Sequence, residues 1–364
     1  MLSNSQLYGK WRKRLTQLAP DPCESRLNNM LYLVVGLFKA RSVHLSLIAR
    51  QMPVRAKKLS LDKRLRRFLD NAAVQERAWY QPVAEHLVNA AGSAGHIHLL
   101  IDSSKVGFNH QLLMVAIAYR RRALPLAWTW VRGARGHSTQ AKQIALMKDV
   151  HRLIPDDFQV SLVGDAEFGQ TLLMEYCDFW GWDYALRQKG NHLVMTFNQF
   201  FWRPIHDIAI EPGMLLWYGR VVLTQASSYP TNLVLYWKSG QKEPWYLATN
   251  QPSPQGAVTL YRRRMWLEEM FGDMKKHGFD LEATHLRHHA RLSRLTLAVC
   301  LLYLWLVSAG ELVLAFGLSG EIDRSDRRDL SIFRLGWDFI ERRLALNDPL
   351  PSTWIPNFCS VSGG

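Results

Sequence analysis

Residues 96–106 read HIHLLIDSSKV, and this stretch decides the fold. His96 to Ile101 is a short apolar run that ends on Asp102, whereas the residues before it follow helical spacing. Such a run, followed by others of its kind, predicts a strand. Downstream, Leu112 to Tyr119 and Leu126 to Val131 read as two more strands, and Lys142 to Leu153 as a helix. Gln159 to Val163 reads as a strand running into Gly164 and Asp165. Leu172 to Phe179 then reads as a helix and Tyr184 to Arg187 as a strand. Hairpin strands followed by strand–helix alternation predict a mixed α/β sheet.

Outward from this core the pattern changes twice. Residues 1 to about 92 read as helical, with Pro53 marking a break between two helices. The stretch 55–67 is basic, with Arg55, Lys57, Lys58, Lys63, Arg64, Arg66 and Arg67. Such a face suits DNA phosphates, which fix a protein in place without reading sequence, and also suits plain solvation. Between 191 and 244 the strands Met214 to Thr224 and Leu233 to Trp237, with Gly, Pro, Ser and Asn between them, suggest a β-rich insertion. Helix resumes at Gly256 to Lys276, at His289 to Ser308 and within 321–346.

The chain of 364 residues is 48% hydrophobic, enough for a sizeable core. Its net charge of +14 and pI near 9.8 favour polyanionic partners. Cys23, Cys177, Cys300 and Cys359 lie far apart, which fits reduced thiols and no zinc site. The polar, basic N-terminus lacks the apolar segment of a secretory signal. The most apolar run, Leu295 to Ser308, is about fourteen residues, short of the roughly twenty of a membrane helix. A cytoplasmic protein without a membrane partner is the expectation.

Asp102 and Asp165 are both expected just past strand ends, where an open sheet presents side chains to ligands. Carboxylates suit hard cations such as magnesium, although a strand-end Asp is commonly a turn residue. On a continuous helix over 261–276, Tyr261, Arg264, Glu268 and Lys275 sit at offsets 0, 3, 7 and 14. At about 100° per residue they share one face within roughly 60°, and Glu269 points away. Three carboxylates suit two metals about 4 Å apart, which clamp the attacking and leaving oxygens of a phosphoryl displacement. The pattern therefore indicates phosphodiester chemistry, open to a simple nuclease as well; a solvated, salt-bridged surface helix would look similar.

The order Asp102, Asp165, Glu268 with a β insertion before the Glu resembles the DDE transposases. The helix matches the Y-x2-R-x3-E-x6-K signature of the bacterial insertion-sequence-four family at Tyr261, Arg264, Glu268 and Lys275. VGDAEFG and EPWYLATNQP resemble that family's second-Asp motif and the strand before its signature helix. RLGWDFIERR, at 334–343, resembles the transposon-ten branch.

The resemblance implies an RNase H-like catalytic core with a mixed sheet, interrupted by a β-rich insertion, plus a helical N-terminal domain and a helical C-terminal segment. The implied order is a DNA-binding domain over 1–92, core over 93–190, insertion over 191–244, core again over 245–318 and tail over 319–364. Asp102, Asp165 and Glu268 would hold two Mg²⁺ ions, for which Mn²⁺ substitutes. Hairpin-forming cut-and-paste transposition would follow, with Trp245 stacking on a flipped base and Tyr261, Arg264 and Lys275 on phosphates. Partners would be double-stranded DNA, as terminal inverted repeats and target, and a second copy in the synaptic complex. Arg187 and Lys189 are further candidates for DNA contact, as are Arg132, Arg135 and His137 and the run HLRHHARLSR at 285–294. Glu167 is expected to be structural. The other possibilities are an inactive DNA-binding regulator and a nuclease without strand transfer.

Overall fold

The computed structural model describes residues 2–20, 23–107, 109–133, 138–324, 327 and 329–359. Arg135 and His137 lie outside the described residues. Five helices lead: α1 (Leu2–Leu18), α2 (Glu24–Ala40), α3 (Leu45–Arg50), α4 (Lys58–Asp70) and α5 (Glu76–Ser93). Then come β1 (Ile97–Val106), β2 (His110–Tyr119), β3 (Arg122–Arg132), α6 (Gln140–His151), β4 (Val160–Gly164), α7 (Thr171–Phe179) and β5 (Asp183–Arg187). β6 (Leu193–Thr196), β7 (Gln199–Pro204), β8 (Leu215–Leu223), β9 (Tyr229–Tyr236) and β10 (Trp245–Thr249) follow. The chain closes with α8 (Pro254–Arg262), α9 (Met265–Met274), α10 (His289–Ala315) and α11 (Ile332–Leu346).

These elements form two compact units that do not follow the five consecutive segments expected. One holds residues 1–94, 105–110 and 271–364; the other holds 95–104 and 111–270. The first is helical around α10, which contacts α2, α4, α5 and α11. α10 runs for 27 residues, longer than its apolar stretch suggested, so length alone would let it cross a membrane. Its most apolar window has a mean hydropathy of 2.1 and is 89% buried within the protein, as a core helix is.

At the start of α10, part of the basic run expected to face DNA is engaged within the protein. Arg294 is buried and donates to the carbonyls of Leu69 and Val74. Arg291 makes a two-pronged pair with Asp70, and Ser293 donates to Glu76. These groups satisfy α4, the following turn and α5, while His285, Arg287 and His288 of the same run stay exposed.

The second unit is built on a ten-stranded sheet, ordered β3-β2-β1-β4-β5-β10-β9-β8-β6-β7 among the described residues. The β2–β3 turn holds Arg120 and Arg121 at φ of 42° and 61°, the left-handed pair that suits an antiparallel hairpin. β4 adds parallel to β1, and β5 parallel to β4, through α6 and α7. This mixed α/β arrangement is consistent with the expected RNase H-like core. The β-rich stretch does not stand apart from it. β10 pairs antiparallel with both β5 and β9, so the 191–244 strands prolong the same sheet. α8 lies against β4, β5, β9 and β10.

Candidate active site

Parallel pairing of β1 with β4 sets the central geometry. Ile101 is opposite Gly164, so Asp102 and Asp165, the next residues, emerge side by side on strands about 4.8 Å apart. Asp102 does not follow the strand, as expected, but lies inside it, because β1 continues through the polar Ser103, Ser104 and Lys105. Asp165 does follow β4, in a loop that crosses close to β5. A Cβ on Gly169 would lie 2.3 Å from the Arg187 carbonyl, so only glycine fits there. Each aspartate is oriented by a backbone amide: Ser103 N donates to Asp102 Oδ1 at 2.7 Å, and Glu167 N to Asp165 Oδ1 at 2.9 Å.

The signature residues do not share one continuous helix. α8 ends at Arg262, Arg263 and Arg264 form a turn, and α9 begins at Met265. The amides of Arg263, Arg264, Trp266 and Leu267 bond three residues back, to Leu260, Tyr261, Arg263 and Arg264. That tighter winding invalidates the 100° arithmetic across the break. It nevertheless brings Arg264 into the site. Its Nη1 donates to Asp102 Oδ2 at 3.2 Å and its Nη2 to Glu268 Oε1 at 2.5 Å, so one guanidinium spans the first and third carboxylates. Glu269 turns away to Arg122, at 3.4 Å.

Tyr261 is buried, and its hydroxyl has no partner among the described residues. Trp245 meets the Tyr261 ring edge-on, with centroids 4.9 Å apart, and Tyr236 at 5.7 Å. Arg187 ends β5 beside the Asp165 loop and pairs with Glu243 at 3.5 Å. Lys189, two residues on, is exposed. Lys275 belongs to the other unit, where it pairs with Glu282 at 2.9 Å and donates to the Lys105 carbonyl. So do Arg55, Lys57, Lys58, Arg64 and Arg67. Of these Arg64 is partly enclosed, bonded to Asn29 and packed over Tyr32, while the other four are exposed.

Burial, then the neighbouring charge of Asp165, pushes Asp102 up to about 7; Arg264 pulls the other way. Burial also raises Asp165. Adjacent carboxylates, one buried and one half-buried, held above their ordinary range are short of positive charge, so this pair fits a hard divalent cation. No three His, Cys, Asp or Glu side chains converge tightly enough to hold a metal as they stand among the described residues. Glu268 is engaged with Arg264 and would have to release it to join the pair.

A pH dependence follows. Unfolded, Asp102 would titrate near 3.8; folded, near 7. Its contribution to the stability of metal-free protein is full below about pH 4 and lost as the pH rises through about 7. A divalent cation should therefore raise the melting temperature more at pH 8 than at pH 5.5, by a few degrees. Asp102→Asn should remove most of that difference. Scanning fluorimetry of both proteins with and without Mg²⁺ is the check, and an equal shift at both pH values would refute the titration.

Sequence reasoning missed two polar groupings. Glu167, expected to be merely structural, bonds to Ser103 and Ser138. His96 and His98 stack at 4.3 Å beside Arg263 in a recess of about 280 Å³. His96, just before β1, and His98 within it are two residues apart and so share a face, but nothing in the sequence pairs either group with its distant partners.

Residues 93–305, more than half of the chain, match the family described as Transposase DDE domain. No curated protein matches. One similar solved structure is the cryo-EM structure of a piggyBac transposase synaptic complex with hairpin DNA. It is 11% identical, with a TM-score of 0.42, covering 98% of this chain and 84% of that one.

Proposed function

The chain belongs to the Transposase DDE domain family, and we propose that it is a DNA transposase of the insertion-sequence-four type, transposon-ten-like branch, acting by cut and paste. The observation that carries this reading is the Asp102–Asp165 pair on adjacent parallel strands, with Arg264 reaching from Asp102 to Glu268. The family's chemistry is divalent-metal dependent. In this reading Asp102, Asp165 and Glu268 hold two Mg²⁺ ions, or Mn²⁺ in their place. Bound there, the ions would supply Lewis acidity and charge for in-line attack at phosphorus.

The protein's own groups do the rest. Arg264, exchanged from the carboxylates, turns its guanidinium to a phosphate, for which its forked donors are suited. In this reading the Tyr261 hydroxyl, buried and unpartnered among the described residues, donates to a phosphate oxygen once DNA opens the site, and Arg187 adds positive charge beside Asp165. Water first cleaves one strand at the transposon end. The freed 3′-OH then attacks the opposite strand to close a hairpin, and after the hairpin opens it attacks target DNA. Lys275 and Lys189 contribute phosphate contacts. The exposed cations near α4 (Arg55, Lys57, Lys58 and Arg67), together with the partly enclosed Arg64, form the DNA-backbone face of the N-terminal helices. Two copies act on paired terminal repeats, in the bacterial cytoplasm.

The proposal is tested with a labelled transposon-end duplex and Mg²⁺. Hairpin-ended product supports it; nicking without hairpins favours a nuclease, and end binding without cleavage favours a regulator. Trp245 separates these steps. Base stacking on an aromatic is worth about 1–3 kcal/mol, so Trp245→Ala should lower the hairpin rate about 10- to 100-fold with nicking changed about 3-fold or less. Equal losses in both steps on a denaturing gel would count against a flipped base at Trp245.

A further inference from the structure

Glu167 lies two residues beyond Asp165, yet its side chain serves the neighbouring strand. Its Oε2 accepts from Ser103 Oγ at 2.8 Å, and Ser103 is the residue that follows Asp102 in β1. Its Oε1 accepts from Ser138 N at 2.9 Å and also from Ser138 Oγ. The network is closed from below by Gln143, fully buried, whose Nε2 donates to Ser138 Oγ at 2.9 Å. Ser103 and Ser138 are themselves buried.

Ser103 and Glu167 also hold the candidate metal ligands through their backbones. Ser103 N fixes one oxygen of Asp102, and Glu167 N fixes one oxygen of Asp165. The Glu167–Ser103 bond therefore closes a ring: Asp165, Glu167, Ser103, Asp102, and back through the β1–β4 pairing. With three donors already on its oxygens, the Glu167 carboxylate is committed to this ring and is not a spare ligand.

We infer that Glu167 is a positioning residue that sets the Asp102 and Asp165 carboxylates at the separation a divalent cation requires, acting through Ser103. The inference rests on the proposed metal-dependent reaction at this site. Groups that orient metal ligands typically cost about 10- to 100-fold in metal affinity or activity when removed. A glutamine retains the geometry: its carbonyl accepts from Ser138 N, and its amide donates to Ser103 Oγ, whose hydroxyl reverses.

The test uses the full chain and Mn²⁺ as the probe. Wild type, Glu167→Ala, Glu167→Gln and Ser103→Ala are compared by Mn²⁺ titration without DNA, followed by electron paramagnetic resonance. Cleavage kinetics on the end duplex and thermal melts accompany the titrations. The expected result is Mn²⁺ affinity and kcat each about 10-fold or more lower in Glu167→Ala and Ser103→Ala, with KM for DNA within about 3-fold. Glu167→Gln recovers most of both. Unchanged Mn²⁺ affinity in Glu167→Ala overturns the inference, and so does a loss in Glu167→Gln as deep as in Glu167→Ala. If Glu167→Ala fails to fold, Ser103→Ala decides alone. A wild type that binds Mn²⁺ but cleaves no end duplex removes the transposase reading and leaves the titration to judge Glu167. A wild type that binds no Mn²⁺ overturns both.

Discussion

Asp165→Ala is expected to reduce cleavage of the transposon-end duplex by about 10³-fold or more, because several kcal/mol of charge stabilisation leave with the ligand. On the proposed reading DNA binding survives, since that reading assigns it to the cations near α4, which the substitution leaves untouched. The melting temperature of metal-free protein should stay level or rise. Burial lifts the Asp165 pKa, so the ionised side chain costs stability that alanine would restore. Cleavage assays, gel shifts and melts on one preparation give the three readouts. Cleavage within 10-fold of wild type would remove Asp165 from the reaction.

The second large effect concerns stability, where α10 crosses α11. A Cβ on Gly310 would lie 1.8 Å from the Ile332 carbonyl oxygen, and one on Gly336 would lie 1.8 Å from the Leu306 oxygen. Overpacking against side chains usually costs about 1–3 kcal/mol, because neighbours rotate aside. Here the obstacle is the backbone of the facing helix, which cannot. Gly310→Ala and Gly336→Ala are each expected to cost about 3 kcal/mol or more, read as lower soluble yield and an earlier denaturation midpoint. Gly9→Ala is the control. Its site on α1 is exposed with nothing within 4 Å, so helix propensity should make that change neutral to about 1 kcal/mol stabilising. A Gly310→Ala melt matching wild type would mean that the helices separate at little cost.

The sheet was largely legible because its strands are short apolar runs with turn residues between them. Asp165 followed its strand as read, since Gly164 ends the apolar stretch. Asp102 did not. The strand continues through the polar residues after it, where Ser103 is met by Glu167, and periodicity holds no information about so distant a partner. The signature helix shows the same limit. Spacing found Arg264 and Glu268, but the break at Arg263–Arg264 is set by tight local hydrogen bonding that a uniform angle per residue ignores. Within the run at 285–294, the engagement of Arg291 and Arg294 leaves no mark on local spacing because their acceptors, Asp70 and the Leu69 and Val74 carbonyls, lie far back in the chain.

The discontinuous make-up of the helical unit bears on how the protein is made. During synthesis α1 to α5 leave the ribosome first, but the helix they enclose, α10, is translated only after the whole sheet unit. Domains commonly fold as they emerge, N-terminal first; here the leading helices must wait with the apolar faces of α2, α4 and α5 uncovered, while the sheet has all its strands in hand. Nascent chains released before α10 should therefore be captured by chaperones or proteases at their N-terminal helices, however well the later sheet is formed. The basic helix α4 takes its final place only after α10 has been translated, so its cations are organised into one face late in synthesis.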